Sequence, residues 1–482
     1  MKGFFLLLIL CCTTVFGQNT YLPHEVEKQA EPAGGLIHLN QFISSNLQIP
    51  FKSAIKGLNG RVYLKGLVET DGSMSQIEVT KGIDTLCNEE AVRVMSLFKA
   101  WKPATIKGEK VRQYVHYPMT FRTKAKTSYD SSRSALVDYF DQKYNPVADP
   151  KKYEYRSILP VDDHGYIRAD VVYEQMKGGK WKEIGKANFE KKEIWHKTGY
   201  VGSVADSVKA YWISARDRNL ASHSSEAIFQ MNGTLLSYTE YELNNKASLN
   251  KEYDLNGMVR VLRLFSDSLR SELTWFENGQ IKSVIETPVS KQNEFVEPIY
   301  VNAWDRNGVQ RVKDGDGYWW STEETFGRRL VIEQGRIAAG AKNGKWEGKW
   351  SDSTLLYQET YNMGVLKEGV SYYDGEKRNY TQAHINPQFK GGIKEFYKFL
   401  GTNIRYPEDA ARRGVTGRVK LSFVVREDGT MGEYKVESGV GFGIDDEALR
   451  VVKKMNGLWE PGSIRGKTFS VRYTVPINFQ LN

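Results

Sequence analysis

Residue types that could do chemistry are present but not assembled for it. The seven histidines, His24, His38, His116, His164, His196, His223 and His384, include no two at the helical spacing that would put two metal ligands on one face. Asp162-Asp163-His164 is the only tight acid-histidine cluster, and Gly165 directly after it favours a solvated turn over a metal site. The sequence has neither a glycine-rich phosphate loop ending in Lys-Ser/Thr nor a nucleophile elbow. Cys87 has no accompanying His or Asn pattern and reads as a structural thiol rather than a nucleophile. The sequence therefore predicts no enzyme, no metal and no cofactor. Pro118 and Pro476 carry the clearer consequence. Each interrupts an alternating run that reads as a strand, and proline has no N–H to give to a ladder. Such a strand belongs at a sheet edge or a bulge. An exposed edge can accept an extended guest peptide, and protection of that edge against aggregation is the alternative reading.

These two strands belong to segments that repeat each other. Gly34 to Phe121 matches Gly391 to Phe479 at an offset of 357 residues, which becomes 358 after one insertion. Identical pairs include Gly34/Gly391, Asn46/Asn403, Pro50/Pro407, Gly60/Gly417, Asp71/Asp428, Gly72/Gly429, Glu90/Glu447, Arg93/Arg450, Trp101/Trp459, Ile106/Ile464, Gly108/Gly466, Pro118/Pro476 and Phe121/Phe479. In the second copy Val419, Leu421, Phe423 and Val425 alternate with polar residues, as in a strand with one buried face. That run holds no proline and suits the sheet centre. Asp428-Gly429 supplies the positive φ angles of a tight hairpin, and Tyr434 and Val436 continue the return strand. A helix follows: Asp445 is placed to cap it, Asp446 and Glu447 suit its N-terminal dipole, and Ala448, Val451, Val452 and Met455 recur at helical spacing. Trp459-Glu460-Pro461-Gly462 stops it, and Val471, Tyr473, Val475, Ile477 and Phe479 form one face of a last strand.

The ordered motifs Pro387-Gln388-Phe389-Lys390-Gly391-Gly392, Arg405-Tyr406-Pro407-Glu408, Gly417-Arg418-Val419, Glu427-Asp428-Gly429, Asp446-Glu447-Ala448-Leu449, Trp459-Glu460-Pro461-Gly462 and Val475-Pro476-Ile477-Asn478-Phe479 resemble the TonB C-terminal domain family. The first copy resembles a more divergent member, with Ile49-Pro50 in place of Tyr406-Pro407 and Lys102-Pro103-Ala104 in place of Glu460-Pro461-Gly462. The resemblance implies an α+β protein: two small domains, each of two helices on a three-stranded antiparallel sheet, flanking an all-β repeat middle. It also implies binding of the TonB box, a short extended segment of outer-membrane transporters, by addition to the last strand. Carried over by position, the partner-binding residues are Asn403, Ile404, Arg405, Tyr406 and Pro407 with Arg472, Tyr473, Thr474, Val475, Pro476, Ile477, Asn478 and Phe479. In the first copy they are Leu47, Gln48 and Ile49 with Val115, Tyr117 and Pro118. The chain departs from an energy transducer in one respect: its 14 prolines are not gathered into a stiff arm.

Between the copies lie nine of the eleven tryptophans, and Asn-Gly pairs at 232–233, 256–257, 278–279, 307–308 and 343–344. Asn-Gly between short alternating runs predicts a chain of hairpins. Trp275-Phe276-Glu277-Asn278-Gly279-Gln280 and Lys342-Asn343-Gly344-Lys345-Trp346-Glu347-Gly348 resemble MORN-type repeats. Ser131 to Tyr153 reads as a helical linker. At the start, Lys2, the apolar run Phe4 to Val15, and Val15-Phe16-Gly17 before Gln18 read as a cleaved signal peptide, which predicts a periplasmic protein. A retained segment would anchor it in the inner membrane, and only then would it contact a membrane; a lipid anchor would need a small residue where Leu10 precedes Cys11. The partition is therefore 1–17 signal peptide, 29–122 first copy, 123–380 linker and hairpin repeats, and 385–482 second copy. The formal charge of +9 is scattered along the chain and does not point to nucleic acid. Expected partners are outer-membrane TonB-dependent transporters or other envelope proteins, with cell-wall polymer a further ligand class for the aromatics. A non-energised envelope scaffold and a membrane-anchored transducer are the alternatives.

Overall fold

The computed structural model describes residues 19–123, 128–197, 207–216, 225–242, 246–289, 296–324 and 330–481; the expected signal peptide lies outside them. The chain divides into two compact units, 1–315 and 316–482. It is an α+β protein, with a module of helices and sheet in each unit and an all-β middle.

In the first unit the module comprises β1 (Thr20–Tyr21), α1 (Leu36–Asn46), a short α2 (Phe51–Ala54), β2 (Gly60–Val68), β3 (Met74–Lys81), α3 (Thr85–Leu97) and β4 (Glu109–Phe121). The sheet order is β1-β4-β2-β3. Alternation buries Val62, Leu64, Met119 and Phe121 on the face covered by Leu39 and Phe42 of α1 and Val94 and Met95 of α3. Asp84 caps α3 by accepting the Cys87 N–H at 2.8 Å.

Fourteen described strands follow, from Ser128–Asp130 to Gln310–Lys313, each antiparallel to the next. Four of the Asn-Gly pairs sit at hairpin tips as expected. Only their glycines, Gly233, Gly257, Gly279 and Gly308, take positive φ, and each hairpin shifts register beside the turn. They are thus turns with a following bulge; in three of them the Asn side chain accepts an N–H two residues on, as Asn232 does from Thr234 at 3.0 Å, and at the fourth Asp305 accepts the Asn307 and Val309 N–H groups instead. The expected helical linker is absent. Ala135–Phe140 is a strand and Pro150–Lys152 a single 3-10 turn. Ala135 and Val137 bury at period 2, and Tyr139 stacks on Tyr153 at 3.9 Å, so sheet packing overrides the local helical reading.

Hairpin tips of this meander grip the first module. A Cβ on Gly279 would meet Phe42 at 2.9 Å and Phe98 at 3.0 Å, so only glycine allows this approach. Lys99 donates its N–H to Asn278 O at 2.8 Å beside it. One hydrophobic core joins Phe42 and Phe98 to Trp275 and Ile281.

The second unit begins with six antiparallel strands, Asp316–Glu324 to Glu376–Tyr380. Here Asn343-Gly344 lies inside the strand Ala341–Trp350, and Ala339-Gly340 makes the turn instead. The strand bulges at this point and lets the Trp346 ring lie against Gly335. The module follows: α4 (Gly392–Asn403), a short α5 (Glu408–Arg412), β5 (Gly417–Val425), β6 (Met431–Ser438), α6 (Ile444–Lys453) and β7 (Val471–Phe479), in sheet order β6-β5-β7. The proline-free strand is central, as its composition predicts. Asp445 is not the cap of α6. Gly443 holds that position, and the Asp445 carboxylate accepts the N–H groups of Val440 at 2.7 Å and Gly441 at 3.1 Å, which ties the entry loop back to the first turn. At the 428–429 turn only Gly429 has positive φ.

This module docks by a different part of its surface. Arg465, at the tip of the hairpin before β7, donates from Nε to Glu359 Oε1 at 2.9 Å and lies 3.6 Å over the Tyr357 ring. Tyr380 and Tyr361 also donate to Glu359, at 2.8 and 3.0 Å. Glu359 and Arg465 are both deeply buried, so each needs the other. No described helix is long and apolar enough to cross a membrane.

Candidate partner-binding edge

Along β7 every residue from Val471 to Phe479 faces a partner on β5, and among the described residues β7 has no second strand. Pro476 lies opposite Lys420. Lacking an N–H, it cannot complete a hydrogen-bonded pair there, which assigns Arg472, Thr474, Pro476 and Asn478 to the set whose backbone groups point away from β5. The same four side chains are on the exposed face, while Val475, Ile477 and Phe479 are buried. Three N–H groups and four carbonyls therefore line the free side. The exposed side chains are already oriented: Arg472 pairs with Glu433 at 2.5 Å, and Asn478 accepts from Arg418 at 2.8 Å. Tyr473 lies against Trp459, with ring centroids 5.2 Å apart.

The segment expected to join this edge is held close to it. The Tyr406 ring meets Phe479 at 5.8 Å, and its hydroxyl donates to Val415 O at 2.6 Å. Pro407 starts α5. Ile404 closes α4 by donating to Leu400 O at 2.9 Å. Two residues whose role the sequence reading missed set this corner. Arg450 donates to Asn403 O at 2.7 Å and to Glu447 at 2.6 and 2.7 Å, and Glu447 Oε1 accepts the Arg405 N–H at 2.6 Å. The Arg450 guanidinium holds the Glu447 carboxyl below its ordinary range. The available signal was a Glu and an Arg one helical turn apart, identical in both copies. Asn403 Nδ2 donates to Phe399 O at 2.9 Å, and its Oδ1 accepts no hydrogen bond among the described residues.

Residues 45–123 and 402–481 match the family described as Gram-negative bacterial TonB protein C-terminal. Both terminal modules are TonB C-terminal domains. Two solution structures of the TonB C-terminal domain of Helicobacter pylori are similar at 24% identity. The matches cover 18% of this chain and 79% or 90% of those chains, with TM-scores of 0.16 and 0.15. No curated protein matches the chain.

The first TonB C-terminal domain repeats the corner and surrounds it differently. Arg93 donates to Asn46 O at 2.8 Å and to Glu90 at 2.6 and 2.8 Å, and Glu90 accepts the Gln48 N–H at 2.6 Å. Here, though, Asn46 Oδ1 accepts the Val259 N–H at 2.7 Å, and Lys251 Nζ donates to Ser45 O at 2.7 Å. The corner is filled by the chain's own hairpin. Leu47 and Gln48 are half-buried beside it, and Ile49 is exposed. The outer side of β4 is also shared: Thr20 and Tyr21 of β1 pair with Arg112 and Gln113, and residues 104–106 pair with 109–111. Val115, Tyr117 and Pro118 lie beyond that cover, with Pro118 opposite Tyr63 and the Tyr117 hydroxyl bonded to Asn40. Elsewhere, Asp162 Oδ1 accepts the N–H groups of His164 and Tyr166, both at 2.9 Å, so the acid-histidine cluster is a capped turn.

Proposed function

We propose that the protein binds extended peptide segments along the free side of β7 in its second TonB C-terminal domain. The segment is the TonB box of outer-membrane TonB-dependent transporters, met in the periplasm. The observation that supports this reading is that, among the described residues, β7 has a ladder partner on one side only over its full length. A guest strand would gain backbone bonds at Arg472, Thr474 and Asn478, and the donor missing at Pro476 would restrict its register. Asn403 to Pro407 would meet the end of the guest beside Phe479.

Titrating the full chain with a fluorescent TonB-box peptide tests the reading. Thr474→Pro removes one outward N–H without touching the β5 ladder, and it is expected to weaken binding about tenfold or more while the unfolding temperature holds. Absence of any binding by the unaltered protein would overturn the reading and favour a non-energised envelope scaffold. The use of the first domain's corner within its own unit favours that second reading. N-terminal sequencing of the mature protein separates both from an anchored transducer, because a start at Gln18 excludes an anchor.

A further inference from the structure

A cavity of about 740 Å³ opens in the first unit where Gln48 and Arg93 of the first TonB C-terminal domain face the strand meander. Its size falls within the range of about 300–1,000 Å³ typical of small-molecule sites. The floor is apolar, made by the buried side chains of Ile167, Ile213, Phe229 and Leu235.

The charges around this floor do not cancel. Arg93 is matched by Glu90, but Lys191 and Arg168 have no carboxylate partner among the described residues. Arg168 donates to the Val161 and Arg133 carbonyls at 2.8 and 3.4 Å, and Lys191 Nζ stands 4.2 Å over the Tyr211 ring. The acid on the lining, Asp162, already uses Oδ1 to accept two backbone N–H groups. Tyr166 lines the same space, and its hydroxyl makes no hydrogen bond among the described residues.

The rings decide which ligand suits the space. Tyr211 stacks on Phe229 at 5.2 Å and also carries the Lys191 ammonium, while Tyr166 meets Phe229 edge-on at 4.9 Å. The ring faces on which a sugar would stack are used within the protein. What remains is an apolar floor, positive ring edges, an unpartnered hydroxyl and two unmatched cations.

We propose that this cavity binds a small organic anion with a flat apolar body. Lys191 and the Tyr166 hydroxyl meet the acid group through charge-assisted bonds, Arg168 adds positive field at the mouth, and the body covers Ile213, Phe229 and Leu235. The site shares no residue with β7, so it stands apart from the peptide-binding reading.

Anilinonaphthalene sulfonate and phenylnaphthylamine, its parent without the sulfonate, form a matched probe pair. Calorimetric titration of the full chain is expected to give one sulfonate site per chain and affinity for the neutral parent about tenfold lower or worse. Lys191→Glu and the milder Lys191→Gln should each weaken the sulfonate about tenfold or more, and Tyr166→Phe by a smaller factor, with unfolding temperatures unchanged. Lys209→Glu, which alters an exposed cation on the neighbouring strand, should bind as the unaltered protein does. Equal affinity for the two probes, several sites of equal weakness, or full binding by Lys191→Gln would overturn the proposal.

Discussion

Asn46 and Asn403 end matched helices, and each donates from Nδ2 to the carbonyl four residues earlier at 2.9 Å. Beyond that bond they part. Asn46 is buried and accepts the Val259 N–H from a hairpin of its own unit, whereas Asn403 Oδ1 accepts nothing among the described residues. The hairpin before the last strand shows the reverse. Arg465 plunges into a buried pair with Glu359, while its counterpart Lys107 is exposed. Each domain docks onto the strand meander of its own unit by one of these two surfaces and not by the other. A shared fold therefore does not fix which face is structural; the flanking strands choose it.

The largest test of this contrast is Arg465→Ala. It strands the Glu359 carboxylate in the interior and should destabilise the second unit by about 3–5 kcal/mol, against under about 0.5 kcal/mol for Lys107→Ala. Thermal or denaturant unfolding of the two variants reads the difference, and equal effects would break the comparison. Asn46→Ala comes next. It leaves the Val259 N–H buried without an acceptor, at a cost of about 1–3 kcal/mol, whereas Asn403→Ala gives up one partly exposed bond worth about 1 kcal/mol. Hydrogen exchange at Val259 should rise in the first variant alone.

A smaller effect concerns pH. The Glu447 carboxyl is held low chiefly by its bonds to Arg450. A depressed folded value means that its contribution is complete above the ordinary range near 4.5 and is lost as pH falls through the lower folded value. Glu447→Gln should flatten the acid limb of stability and loosen the Asn403–Arg405 corner, seen as weaker peptide binding at neutral pH. Smallest of all is the response of Cys87. Burial pushes its thiol up to about 11, so a thiol reagent at neutral pH should leave the native protein unlabelled and react on unfolding.

Much of each domain could be read directly. Alternation at Val419 to Val425 located the central strand and the proline at 476 located the edge; the repeat carried the central strand to the first copy, where the last strand is covered on its outer side as far as Gln113 and, among the described residues, is open only beyond it. The errors came where tertiary context outweighs local preference. Asn343-Gly344 has the composition of a turn, yet neighbouring strands on both sides extend through it. The segment 131–153 has helical-looking stretches, yet Ala135 and Val137 are drawn into a sheet that no local window contains. The Glu-Arg pairs were visible as identities, but their job depends on a loop 42 residues away in sequence that only folding brings within 2.6 Å.

Patterns of period 2 and 3.6, glycine at positive φ, proline without a donor and a long repeat act over short range or by identity, and these the sequence determined unaided. Tertiary structure alone decided which corner is occupied by Val259, which hairpin buries an arginine, and that Tyr166 and Lys191 share one cavity. Those outcomes depend on desolvation and on hydrogen-bond partners contributed by distant strands, and no stretch of residues encodes its own neighbours.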